Sequence, residues 1–115
     1  MIIGTREKEH IAVFDIEGEI RRSESPEATL HQLVKARIDA GRTDILLNFN
    51  KVDFIDSFGV GEILASYISI HNVGGKLKLF GVSKKLLLIF QVTMLTRVLE
   101  IFGSEEAALE SFGRP

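Results

Sequence analysis

The residues able to do chemistry concentrate in one stretch, VDFIDSFGVGEIL from Val52 to Leu64, where acidic residues, a serine and two glycines interrupt an apolar run. A serine beside an aspartate raises the question of nucleophilic catalysis. A nucleophile elbow needs glycine two residues before and two after the serine. Around Ser57 those places hold Ile55 and Gly59, so an acyl-transfer site is not supported. GVGEIL opens like a dinucleotide fingerprint but has Leu64 at the third glycine position, and a Walker lysine is missing, which argues against nucleotide binding. His10, His31 and His71 are far apart and lack metal-ligand spacing, so they read as surface or helix-face residues. Asp53 and Asp56 read as neighbours in a solvated turn rather than as paired catalytic carboxylates. Lys84 and Lys85 read as a solvated helix start. The plainest account of the knot is a helix N-terminus. Ser57 caps it and Asp56 favours its positive end. Gly59 and Gly61 let the first turn lie close to neighbouring backbone.

The flanking pattern shows what positions these residues. IAVFDI, Ile11 to Ile16, is rich in branched and aromatic residues and stops at Gly18, as a strand does. Ile2 to Glu9 adds an edge strand before it. SPEATLHQLVKARIDAG predicts a helix with Ser25 as N-cap, Pro26 at its first position and Gly41 as its stop. Leu30, Leu33, Val34 and Ile38 share one face of it. DILLNF, Asp44 to Phe49, is a near-continuous apolar run suited to a strand covered on both sides. From Ser57, the residues Val60, Ile63, Leu64, Tyr67, Ile68 and His71 recur at helical spacing until Gly74 and Gly75. KLKLF predicts a further strand. SKKLLLIFQVTML predicts a helix capped by Ser83, and SEEAALESF a last one capped by Ser104 with two glutamates in its first turn. Such alternation implies an α/β domain with a mostly parallel central sheet of four or five strands and about four helices. Asp56 and Ser57 then lie at the carboxyl end of a central strand, where open α/β sheets carry their sites.

Composition narrows the function further. A chain of 115 residues is expected to form one domain, 1–115, and its 45% apolar and 26% charged residues are those of an ordinary globule. It has no cysteine, so disulfide frameworks, thiol chemistry and zinc fingers are excluded. A formal charge of -2 gives no strong field toward nucleic acid or anionic lipid. No apolar segment approaches the roughly 20 residues of a membrane span, and Met1 opens no signal-peptide pattern. The expectation is a cytoplasmic protein without metal or cofactor.

ILLNFNKVDFIDSFGVGEIL resembles the signature of the STAS domain in the anti-sigma factor antagonist family: an apolar strand, then Phe-Ile-Asp-Ser, a small residue, Gly-Leu-Gly and a helix. The resemblance runs from about Ile11 to Phe112 and takes in IEGEI, GGKLKLFGVS and EEAALESF. It implies a non-enzymatic regulator that works by partner switching. Unphosphorylated, such a protein binds an anti-sigma factor that is also a serine kinase, and so releases a sigma factor. Phosphorylated on the serine matching Ser57, it does not bind until a serine phosphatase restores it. The partner-binding residues implied are Asp56, Ser57, Phe58 and Gly59, with Arg21 and Arg22 from the loop beside them. The alternative function is a scaffold or adaptor subunit of a signalling or lipid-transport complex, with Ser57 only a helix cap.

The chain departs from the family pattern in two places. Phe58 stands where the family usually has serine or threonine, and Arg21 and Arg22 follow GEI where it usually has aspartate. If the second loop lies beside Ser57, a positive charge replaces a negative one there. KKLLLIFQVTML is also more apolar than one buried face requires. With Leu86, Ile89, Phe90 and Thr93 toward the sheet, helical spacing turns Leu88 and Val92 outward. That patch is expected to serve a homodimer or a second partner.

Overall fold

The computed structural model describes residues 1–24 and 27–113. Five strands form one sheet in the order β1 (Ile2–Lys8), β2 (Ile11–Ile20), β3 (Asp44–Ile55), β4 (Lys76–Phe80) and β5 (Glu100–Phe102). β1 runs antiparallel to β2, and every other pairing is parallel. Helices α1 (Leu30–Asp39), α2 (Ser57–Asn72) and α3 (Lys84–Val92) each return the chain to the next parallel strand, and α4 (Glu105–Phe112) ends it. This is the expected α/β class with four helices.

Strand alternation divides the core between the two faces of the sheet. Phe14, Leu47 and Leu79 pack with Leu30, Val34, Ile63, Ile70, Leu86 and Phe90, placing α1, α2 and α3 on one face. Phe49 meets Phe90 edge-on, with ring centroids 5.9 Å apart. Val13, Leu46 and Phe80 pack with Ala108 and Phe112 of α4 on the other face. Lys78 is only 4% exposed there, and its Nζ donates to the Ser111 carbonyl (2.9 Å) and hydroxyl (3.0 Å), satisfying the carbonyl end of α4. The first turn of α4 is tied to the sheet by Arg6, which pairs with Glu105 and also donates to both oxygens of Asp15 (2.6 and 2.8 Å). Hydrogen bonds from Arg6, then from Asn48, outweigh burial and hold the Asp15 carboxyl below its ordinary pKa.

Several boundaries differ from the sequence expectation. The proposed cap at Ser25 and Pro26 lies outside the described residues. The helix opens at Leu30 under a Thr29 capping box, with Gln32 returning the hydrogen bond. Gly18 does not end β2. At φ 98° it carries the strand through a register shift to Ile20. β3 also runs on past Phe49 to Ile55, so Asp53 belongs to a strand and not to a turn. β5 has only three residues, too few to show alternation. α3 stops at Val92, with Met94 at φ 65°, so Thr93 is exposed and caps the end instead of facing the sheet. Ser83 and Ser104 cap as expected. On α2, Leu64 and Ile68 are exposed, because the buried face is Gly59, Ile63, Ser66 and Ile70.

Candidate functional site

Ile20 and Ile55 are register partners at the ends of the parallel strands β2 and β3, so the loops that leave these strands emerge side by side. The Asp56 N–H donates to the Ile20 carbonyl at 3.3 Å, carrying the ladder one step into the loop. Asp56 then turns the chain into α2. One oxygen of its side chain accepts from the Gly59 N–H at 2.8 Å, and the other accepts from the Arg22 N–H at 3.1 Å. Burial pushes the Asp56 carboxyl up, but the backbone N–H groups of Gly59, Arg22, Phe58 and Asp56 itself outweigh it and keep the pKa below the ordinary value.

The N-cap is therefore Asp56, and the expectation that Ser57 caps the helix is corrected. Ser57 is the first helical residue. Its side chain is exposed, and its hydroxyl forms no hydrogen bond among the described residues. Ser57 therefore sits at the helix N-terminus, where unpaired backbone N–H groups and the dipole favour negative charge.

Gly59 is where the first turn of α2 presses against the end of β2. A Cβ built there would lie 2.2 Å from the Ile20 carbonyl oxygen, so a side chain cannot fit without moving backbone. Gly61 differs from the sequence expectation: it is exposed, with open space where a side chain would go. The two arginines also separate. Arg21 Nε lies 3.3 Å from Glu19, whereas the Arg22 guanidinium lies over the Phe58 ring, 5.1 Å from its centroid. Phe58 in turn lines a cleft of about 480 Å³ together with Met1, Ile20, Leu30, Asp53 and Glu62.

The structure thus brings Asp56, Ser57, Phe58, Gly59 and Arg22 together, and places Arg21 at the cleft margin. The cleft itself was not foreseen. Its one sequence signal is the Ile20 that follows Gly18-Glu19, a sign that the strand continues past the glycine. The histidines have local partners: His10 Nε2 lies 3.1 Å from Asp44, His31 lies 2.9 Å from the Ser69 hydroxyl, and His71 stacks on Tyr67. Among the described residues no group of acidic or histidine side chains could hold a metal ion, and no helix is long and apolar enough to cross a membrane.

Comparison with known proteins bears on the family through sequence and on the fold through structure. The chain is 28% identical over 103 residues to an anti-sigma-B factor antagonist of Listeria monocytogenes, covering 90% of this chain and 88% of that one. An anti-sigma factor antagonist from Mycobacterium paratuberculosis shares the fold with a TM-score of 0.84 at 17% identity, over 98% of this chain and 94% of that one. The Bacillus cell fate determinant SpoIIAA in its phosphorylated form superposes with a TM-score of 0.72 at 23% identity, over 96% and 98% of the two chains. The STAS domain model matches residues 3–108, and the chain belongs to that family.

Proposed function

We propose that the chain is an anti-sigma factor antagonist that binds an anti-sigma factor in its unphosphorylated form and is released when Ser57 is phosphorylated. The observation that carries this reading is the division of labour at the head of α2. Asp56 does the capping, so Ser57 presents an exposed hydroxyl with no structural duty. The alternative, an adaptor role, would leave this exposed hydroxyl without a use. The kinase is the anti-sigma factor itself. The Ser57 oxygen bonds to the γ-phosphorus of ATP, the bond to ADP breaks, and the hydroxyl proton passes to a base of the kinase. A serine phosphatase reverses the modification by hydrolysis. The protein acts in the cytoplasm as a binding regulator, not an enzyme.

Phosphate at this position brings about -1.5 to -2 charges and three acceptor oxygens. The helix N-terminus tolerates it, so the fold persists while the surface presented to the partner changes sign. Asp56 adds to the negative field. A partner fitted to a neutral serine loses several kcal/mol from like-charge juxtaposition. Phe58 and Arg22 beside Ser57, with Arg21 at the cleft margin, form the rest of the contact surface, and Gly59, buried against Ile20, supports it from beneath.

Affinity capture from native extract, with phosphosite mass spectrometry on the bait, tests the reading. The expected result is recovery of an anti-sigma factor, one phosphate on Ser57 after incubation with that factor and ATP, and no label on Ser57→Ala. Equal labelling of the alanine variant would refute it. Ser57→Asp should fold normally and bind the anti-sigma factor less tightly, with a partial loss because one carboxylate mimics phosphate incompletely.

A further inference from the structure

We propose that Arg22, and not Arg21, is the internal receiver of the phosphate on Ser57, and that Phe58 holds its guanidinium in waiting while the serine is free. The proposal rests on Ser57 as the phosphoacceptor and adds a regulatory contact to that same site.

Three observations place Arg22 there. Its backbone N–H is bonded to Asp56, the residue before Ser57, and its guanidinium lies over Phe58, the residue after it. Ser57 is thus flanked in the chain by the two residues that Arg22 contacts. The loop cannot drift away, because Ile20 accepts from the Asp56 N–H and packs so tightly on Gly59 that a methyl group would not fit. Arg21, one residue earlier, is directed to Glu19 instead.

The contact with Phe58 suits a resting position. An exposed cation–π pair is weak, whereas a guanidinium meets phosphate oxygens with two parallel charge-assisted hydrogen bonds. A dianion one residue away draws the guanidinium off the ring, since the helix end satisfies only part of the phosphate's acceptor capacity. The other charges nearby do not compete for it as strongly. Asp56 already accepts from two backbone N–H groups, and Glu19 is engaged by Arg21. Phosphorylation then has two effects on the surface: it adds negative charge at position 57 and uncovers the Phe58 ring. Arg22 also shields the phosphate from hydrolysis, which makes this loop a determinant of how long the inactive form lasts.

The test needs no kinase, because phosphoserine can be installed at position 57 during translation. The readout is the phosphorus NMR titration of the second phosphate ionisation, normally near pH 6. Arg22 should hold that midpoint down. Arg22→Ala should raise it by about 0.5 unit, roughly a threefold change in proton affinity, as suits a solvent-exposed ion pair. Arg22→Lys should recover part of the shift, and Arg21→Ala should leave the midpoint in place. In the same samples, a general phosphatase should remove phosphate from Arg22→Ala about threefold faster. A midpoint unmoved by Arg22→Ala, or moved equally by Arg21→Ala, would overturn the assignment. Failure of this titration counts against Arg22 alone. A cognate kinase that ignores Ser57 counts against the switch.

Discussion

Two glycines two residues apart, on opposite sides of the same helix, should respond to the same substitution with opposite signs. At Gly59 a new methyl group meets the Ile20 carbonyl oxygen at 2.2 Å and Ile55 Cγ1 at 2.6 Å. Both belong to strand ends buried in the sheet, so the helix must move, by about 1 Å, before the contact becomes ordinary. The hydrogen bond from Asp56 N to Ile20 O is already 3.3 Å long and would not survive such a shift. The bond from Arg22 N to Asp56, at 3.1 Å, would be strained with it. Overpacking costs about 1–3 kcal/mol and a lost hydrogen bond about 0.5–1.5, against a gain of about 1 for alanine over glycine in a helix. Gly59→Ala should therefore be destabilised by about 1–3 kcal/mol. At Gly61 the methyl group enters open space and only the propensity gain remains, about 0.5–1 kcal/mol in favour of the variant. Urea unfolding followed by circular dichroism separates the two. The midpoint should fall by about 1 M for Gly59→Ala and rise for Gly61→Ala, with little change in slope. A Gly59→Ala protein as stable as wild type would refute the close approach of α2 to the end of β2.

Three further expectations concern the cap, the acid response and α3. Asp56→Ala should cost about 1 kcal/mol in the same assay, since it removes the cap, whereas Ser57→Ala should be within about 0.5 kcal/mol of wild type. The Asp15 carboxyl is held low in the folded state by Arg6, so its contribution is present above its unfolded pKa near 4 and is lost as pH falls through the folded value. With Asp15 about one-third exposed, Asp15→Asn should cost about 0.5–1 kcal/mol at neutral pH and flatten the acid limb of the stability profile. An unchanged limb would remove Asp15 from the acid response. Leu88 and Val92 are 62% and 80% exposed on successive turns of α3, and we propose that a second copy of the chain covers them. Sedimentation should show concentration-dependent self-association that Leu88→Lys abolishes without unfolding. A monomeric wild type at all concentrations removes the proposal.

Most of the architecture was legible because its signals are local. Serine caps at Ser83 and Ser104, the period change at Ser57 and the outward turn of Leu88 and Val92 all follow from residues within a few positions of one another. The misreadings arise where a distant contact decides. Gly18 looks like a stop, but pairing with β3 carries β2 through it. The polar residues Asn50, Lys51 and Asp53 mask the end of β3, which is held by pairing with β2. Leu64 and Ile68 match the helical period, but the buried face of α2 is set by packing against the sheet. At the site, FIDSFG located the helix start but not which side chain caps it. Aspartate and serine are both good caps, and the choice fell to the Gly59 and Arg22 N–H groups that converge on Asp56. The resemblance placed the loop of Arg21 and Arg22 beside Ser57, but which arginine lies over Phe58 depends on a contact between residues more than 30 positions apart.

The central claim is that the charge state of Ser57 governs binding. Its most direct test is a calorimetric titration of the anti-sigma factor recovered by affinity capture, using this chain with serine and with phosphoserine at position 57. The account predicts tight binding of the serine form and a loss of about 100-fold or more for the phosphoserine form, equivalent to about 3 kcal/mol, with unchanged circular dichroism. Equal affinities of the two folded forms would contradict it.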